Sequence, residues 1–156
     1  MSNKLNIATN ILTEHLEAHF DGVIDEDANF EKIKSLGLKK YIFDFEKVKL
    51  INSCGIREWI KYLDELKSAE IVYRNCPQII IEQINMVHGF IKKGTVVESF
   101  IAPYFCEECD DEKKVLLKIT EVENLQAPLK KCMKCGNELE FDAIPKQYFS
   151  FIQQGK

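Results

Sequence analysis

The sequence predicts an α/β domain followed by a small β ribbon closed by a metal ion. Strand-like and helix-like hydrophobic patterns alternate up to about residue 103, and two Cys-x-x-Cys pairs occupy the last third of the 156 residues. The composition changes where Ala102-Pro103 precedes the first cysteine pair. We therefore expect an α/β domain over residues 1–103 and a zinc ribbon over residues 104–156.

Composition and charge narrow the function classes. Hydrophobic residues make up 46% of the chain, and 25 acidic against 21 basic residues give a net charge of -4. This balance disfavours non-specific nucleic-acid binding, which needs a basic surface. The first ten residues are too polar for a signal peptide, and no stretch of 18 apolar residues occurs. We expect a cytoplasmic protein without a membrane span, whose cysteines are metal ligands or buried thiols.

The first strand pattern has one polar face. Residues 15–23 alternate between apolar and polar side chains, which predicts a half-buried strand. The apolar face consists of Leu16, Ala18 and Phe20, and the polar face consists of His15, Glu17 and His19. Three such side chains on one face are close enough to hold a metal ion. A solvated strand face has the same pattern, and we favour that interpretation.

The remaining elements of the α/β domain continue the alternation of strand and helix. In chain order they are a short helix within residues 28–36, a strand at 40–45 with a connector at 46–50, a helix through 56–66, a strand at 70–73, a helix that opens at Pro77, and a strand at 95–101. This order predicts a mixed sheet with helices.

The turn that leads into the second helix carries the most suggestive motif of this domain. It reads Ile51-Asn52-Ser53-Cys54-Gly55, and apolar residues at helical spacing follow it. Ser53 is therefore expected near a helix N-terminus, where a hydroxyl can cap free backbone N–H groups. A phosphate on Ser53 would meet the same donors and the positive end of the helix dipole. Both interpretations, an N-cap and a phosphoacceptor, remain open.

The stretch YIFDFEKVKLINSCGIREWIKYLDEL resembles the signature of STAS domains, the anti-sigma factor antagonist family. The resemblance covers residues 5–103, and its most specific part runs from Asp44 to Ile56. It implies a non-enzymatic signalling protein with Ser53 as phosphoacceptor. It also implies a GHKL-type serine kinase, often itself an anti-sigma factor, as partner, and phosphorylation would break the antagonist's complex with its target. The sequence departs from the family pattern at Asn52, which replaces an acidic residue, and at Cys54, which replaces a small hydroxyl residue.

The residues around Ser53 are candidates for a partner surface. They are Asn52, Cys54, Gly55, Arg57 and Trp59. Aromatic residues and arginine are enriched at protein interfaces, and Trp59 lies beside the apolar helix face. For Trp59 the favoured interpretation is that it covers the edge of the core, with partner contact as the alternative.

Two cysteines of the α/β domain allow other interpretations. Cys54 at a helix N-terminus suggests a thiol enzyme or a redox sensor, because such a position lowers a thiol pKa. No histidine lies near it in a recognisable catalytic motif, so we rank this possibility last. Cys76 precedes Pro77 and is expected to be a buried thiol.

The four remaining cysteines predict a metal site. Cys106 and Cys109 form one pair and Cys132 and Cys135 the other, with 22 residues between the pairs. Four thiolates at this spacing hold one tetrahedral ion and leave no position for a catalytic water. We expect structural zinc in preference to a rubredoxin-like iron. Strands at residues 114–122 and from Glu138 would complete a ribbon that depends on its metal for folding.

The ribbon also suggests the alternative function of a nucleic-acid-associated regulator. Lys130, Lys131 and Lys134 give the second cysteine turn a modest basic patch, but the first cysteine turn is acidic. Protein contact is therefore the favoured role. The aromatic segment at residues 145–152 is expected to pack onto the protein, with exposure to a partner as the alternative.

Overall fold

The structure is a computed structural model that describes residues 4–34 and 36–154. Its mixed α/β class agrees with the prediction. The strands are β1 Asn6–Leu12, β2 His15–Ile24, β3 Lys40–Ile51, β4 Glu70–Arg74, β5 Val96–Val97, β6 Ser99–Cys106, β7 Asp111–Lys118 and β8 Glu140–Phe141. The α-helices are α1 Ser53–Leu63, α2 Gln78–Met86, α3 Pro145–Tyr148 and α4 Phe151–Gln154. Two 3-10 turns span Glu31–Ile33 and Ile119–Glu121.

The first sheet has five strands in the order β1-β2-β3-β4-β5. β1 is antiparallel to β2, and the other neighbouring pairs are parallel. Each successive connection moves one strand further in the same direction, so right-handed crossovers place the helices on one face of the sheet. Trp59 of α1 packs on that face, with its ring 5.5 Å from Phe20, 5.0 Å from Phe43 and 5.7 Å from Phe45 between centroids. This aromatic contact anchors α1 and the loop before it.

The second sheet is antiparallel, with the order β7-β6-β8. It is joined to the α/β part through Cys76, whose N–H donates to the Ser99 carbonyl at 3.1 Å and whose carbonyl accepts from Ile101 N–H at 2.8 Å. The position of the expected domain boundary, residue 103, lies inside β6. Buried residues of both parts belong to one continuous hydrophobic cluster.

The two short C-terminal helices cover β6 and α2. Phe149 and Phe151 lie 6.0 and 5.0 Å from the Phe100 ring. The Tyr148 hydroxyl donates to the Ile101 carbonyl at 2.6 Å, and all three of these C-terminal aromatic residues are buried. The expected packing of this segment is confirmed.

Several predicted elements have different bounds in the structure. The expected connector at 46–50 is wrong, because β3 continues to Ile51 and pairs with β2 along the way through two register shifts. The expected helix within 28–36 is represented by the 3-10 turn at Glu31–Ile33, and Ser35 lies outside the described residues. The expected strand at 95–101 divides at Glu98, so that β5 joins the first sheet and β6 the second. β1 was not predicted.

Candidate metal centre and the Ser53 loop

The structure brings the four predicted metal ligands together at the end of β6. All four sulfur atoms lie within 4.8 Å of one another. The Cys106 and Cys135 Sγ atoms are 3.5 Å apart, and those of Cys109 and Cys132 are 3.9 Å apart. A tetrahedral zinc ion with Zn–S bonds of about 2.3 Å places its sulfurs ~3.8 Å apart. The cysteines therefore fit one tetrahedral ion.

Both cysteine turns share one backbone feature. The residue after the second cysteine of each pair is left-handed, with φ +53° at Asp110 and φ +77° at Gly136. Cys109 N–H donates to the Cys106 sulfur at 3.4 Å. Gly136 N–H donates to the Cys132 carbonyl at 2.9 Å. This geometry turns both sulfurs of a pair towards the same point.

The four sulfurs affect one another's protonation. Backbone N–H groups of Cys135 and Lys134 lower the pKa of Cys132 to about 6. Hydrogen bonding with the Cys106 sulfur raises the pKa of Cys109 to about 12. Sulfurs held this close share protons when they face only one another, whereas a bound cation keeps all four as thiolates.

Within residues 4–34 and 36–154, these cysteines are the only group of three or more side chains placed to hold a metal ion. The polar face of β2 is arranged differently. His19 Nδ1 lies 3.5 Å from Asp44 Oδ2, while its Nε2 lies 3.9 Å from Glu17 Oε2. Glu17 in turn contacts Arg74 at 3.5 Å. The two nitrogens of His19 thus face different carboxylates, so this face is a network of polar contacts.

The loop before α1 is held by Asn52. Its Oδ1 accepts from Gly55 N–H at 2.8 Å, and its own N–H donates to the Ile24 carbonyl at 3.1 Å. Asn52 is therefore the N-cap of α1, and the expectation that Ser53 caps the helix is wrong. Ser53 is the first helical residue and is exposed. Among the described residues its hydroxyl has no hydrogen-bond partner.

Two further residues, which no sequence motif marks, lie beside this loop. Asn52 Nδ2 donates to Glu26 Oε2 at 3.1 Å. Hydrogen bonds from the Glu26 backbone N–H and from Asn52 lower the pKa of Glu26. Leu50, at the end of β3, is 61% exposed. Glu26 carries a carboxylate beside the loop, although 26 residues separate it from Asn52 and no short motif connects them.

Two of the partner-surface candidates are buried. Trp59 is 0% exposed, and its Nε1 donates to the Tyr73 hydroxyl at 2.9 Å, so the alternative that it contacts a partner is wrong. Gly55 is buried as well, and a Cβ there would lie 2.0 Å from the Ile24 carbonyl oxygen. Its role is to let α1 approach the end of β2. Of the other candidates, Asn52 and Arg57 are exposed and Cys54 is half-buried.

The other cysteine and the ribbon lysines have ordinary structural surroundings. Cys76 is 0% exposed, and burial raises its pKa well above the usual value, as expected for a buried thiol. Lys130 Nζ lies 2.6 Å from Glu121 Oε1. This ion pair reduces the predicted basic patch to Lys131 and Lys134.

In the part of the chain that the structure describes, no helix combines the length and apolar content of a membrane span. The STAS resemblance is carried by the sequence from Asp44 to Ile56, and membership in that family stays a prediction. The structure adds the geometry of Asn52 and Ser53 to this segment. Comparison of the chain with protein-family models, curated proteins and solved structures gives no match.

Proposed function

We propose that this chain is a non-enzymatic, STAS-like signalling module in which Ser53 is a phosphoacceptor and the four cysteines hold a structural zinc ion. The observation that carries the proposal is the arrangement at the N-terminus of α1. Asn52 caps the helix, and the Ser53 hydroxyl is exposed and makes no hydrogen bond among the described residues. Modification of Ser53 therefore leaves the contacts that hold the loop in place.

The surroundings of Ser53 suit a phosphate that acts on a partner. The first N–H groups of a helix have no intrahelical acceptor and favour an anion. Gly55 N–H is already engaged by Asn52, which leaves those of Ser53 and Cys54 to face a phosphate. A hydrogen bond from Asn52 holds the Glu26 carboxylate beside the loop. A phosphate on Ser53 therefore adds negative charge to a surface that is already negative there. About -1.5 to -2 charges are added at pH 7.

The proposed partner is a GHKL-type serine kinase or anti-sigma factor that contacts the loop and the exposed side of α1. Leu50 supplies an exposed apolar contact, and Asn52 and Arg57 supply exposed polar ones. A few apolar contacts among polar groups are typical of a reversible interface. A phosphate at the centre of such a surface would break it by desolvation and by repulsion from acidic groups.

The decisive experiment combines partner capture with a charge substitution. Affinity purification from the native cell, followed by mass spectrometry, should identify a partner and a phosphate on Ser53. Ser53→Asp should then weaken the purified complex at least about tenfold without changing the unfolding temperature.

The matched control is Ser68→Asp, which adds the same charge at an exposed residue in another turn. It should leave partner affinity unchanged. If Ser53→Asp binds as tightly as the unmodified chain, the phosphorylation switch is excluded. If both substitutions weaken binding equally, the effect is one of net charge and not of Ser53.

The metal is tested separately from the switch. A closed shell of four thiolates fits zinc and fits a rubredoxin-like iron equally in ligand type. We propose zinc, and elemental analysis of protein purified from its native cell should give one zinc per chain and no visible absorption. A coloured protein with one iron per chain would identify the metal as iron instead of zinc. The Ser53 proposal would be unaffected.

A further inference from the structure

Two cavities meet at the turn before β5, away from both the cysteines and Ser53. One has a volume of about 190 Å³ and is mainly apolar. Its walls are Gly94, Thr95, Val96, Val97, Ile119, Phe151 and Ile152. The second has a volume of about 430 Å³ and a wall that is about equally polar and apolar, with Lys67, Lys92 and Lys93 in it. Gly94 and Thr95 belong to the walls of both cavities.

The side chain of Thr95 has an unusual environment. It is 6% exposed, and its Oγ1 is the only buried side-chain nitrogen or oxygen without a hydrogen-bond partner among the described residues. A buried hydroxyl normally has a partner, because leaving one unpaired costs stability. Rotation about the Cα–Cβ bond exchanges the hydroxyl and the methyl group of a threonine without moving the backbone. Thr95 can therefore offer a hydrogen-bond donor to a ligand at the junction of the two cavities.

The charge of the second cavity favours an anion. Within the described part of the chain, Lys67 and Lys93 form no ion pair, and Lys92 lies 3.9 Å from a single carboxylate oxygen of Asp64. Glu70 is the only acidic residue in the wall. Three ammonium groups against Glu70 in the wall and the Asp64 carboxylate that Lys92 contacts leave a net positive charge at this cavity, next to an apolar cavity whose wall has no charged side chain.

We propose that the two cavities form one binding site for a small monocarboxylate with an apolar body of about six carbons. A cavity of about 150 Å³ binds benzene, so the apolar cavity holds a body of this size between Val97 and Phe151. The carboxylate takes a hydrogen bond from the Thr95 hydroxyl and faces Lys93 and Lys67. The ligand thereby supplies the missing partner of Thr95.

The test is a titration of the zinc-loaded full chain with hexanoate, followed by amide chemical shifts. Hexanoate should cause saturable shifts at Thr95, Val97 and Ile119, with a Kd on the order of 1 mM. Hexanamide has the same body without the charge and should bind about tenfold more weakly. Thr95→Val keeps the shape and removes the hydroxyl, and it should weaken hexanoate binding about tenfold.

Two lysine substitutions complete the test. Lys93→Gln should weaken hexanoate binding about threefold to tenfold and leave hexanamide binding unchanged. Lys49→Gln removes the charge of an exposed lysine on β3 and should change neither. The site is overturned if hexanoate gives no saturable shifts at these residues, if hexanamide binds as tightly as hexanoate, or if either Thr95→Val or Lys93→Gln binds hexanoate like the unmodified chain.

Discussion

The α/β part and the cysteine ribbon reach a fixed structure by different physical means. Around α1, the large aromatic side chains Phe20, Phe43, Phe45, Trp59 and Tyr73 are all buried and touch one another. In the ribbon, β8 has two residues, and the four sulfurs lie in two turns, one between β6 and β7 and one before β8. Burial of apolar surface stabilises the first region, and we expect coordination of the proposed metal ion to stabilise the second. The two regions should therefore respond differently to chelators and to core substitutions.

Removal of the metal should have the largest effect. Cys106→Ser should abolish stoichiometric metal binding and lower the stability by at least about 5 kcal/mol, which is about 10 to 20 °C in unfolding temperature. The physical reason is that three thiolates and a hydroxyl cannot form the same closed shell. Elemental analysis and thermal unfolding measure the two effects.

Cys54→Ser is the control, because Cys54 is a free thiol outside the cluster. It should retain full metal content. The contrast between the two regions fails if Cys106→Ser keeps one metal per chain and unfolds at the original temperature.

Trp59→Ala should have the next largest effect, and it should act without releasing metal. Trp59 is fully buried among aromatic rings, so the substitution leaves a cavity and should cost about 3 to 5 kcal/mol. Urea unfolding monitored by circular dichroism gives the stability, and chelator competition gives the metal affinity of the folded protein. Trp59→Phe should cost less, because part of the ring volume remains. Loss of metal in folded Trp59→Ala would show that the two regions are not separable.

Paired substitutions in the two cysteine turns should have smaller and opposite effects. Gly136 and Asp110 occupy equivalent left-handed positions, but only glycine adopts this conformation without strain. Gly136→Ala should destabilise the ribbon by about 1 kcal/mol, and a Cβ there meets no atom within 4 Å, so the cost is conformational. Asp110→Gly should stabilise it by about 0.5 to 1 kcal/mol. If both substitutions shifted the unfolding temperature in the same direction and by the same amount, the left-handed backbone would not be the cause.

The smallest effect concerns the Glu121–Lys130 ion pair. The 2.6 Å hydrogen bond from Lys130 and a second from Lys118 N–H lower the pKa of Glu121. Because the folded-state pKa is the lower one, the stabilising contribution is present at neutral pH and is lost as the pH falls through it. Glu121→Gln should therefore cost less than about 1 kcal/mol at pH 7 and nothing at low pH. A stability difference that grows on acidification would contradict the pairing.

The sequence predicts those parts of the fold that repeat a local pattern. A few neighbouring residues are enough to predict the alternation in β2, the spacing of the metal ligands and the burial of Cys76. The structure agrees with all three predictions. The end of β3 was missed because its pairing with β2 depends on residues more than twenty positions away. The break at Glu98 was missed for the same reason, since both flanking segments have strand character and only their partners differ.

The candidate site also divides into residues that the sequence identifies and residues that only the structure identifies. The four ligands could be assigned from spacing, but the roles of Asn52 and Ser53 could not, because both side chains suit an N-cap and only the backbone decides which one takes it. The partner alternative for Trp59 stayed open in the sequence because a helix turn that mixes apolar and polar residues does not reveal how wide the buried face is. In the structure that face is broad enough to include both Trp59 and Tyr62.

The packing of the C-terminal helices on α2 and β6 has a consequence for synthesis of the chain. Asn85 of α2 donates to the Tyr148 carbonyl at 3.0 Å, and Phe100 of β6 is enclosed by Phe149 and Phe151. The parts of α2 and β6 that α3 and α4 cover therefore stay uncovered on the ribosome until residues 145–154 have emerged, after all four cysteines. All four proposed metal ligands are therefore available before the C-terminal helices can close over α2 and β6.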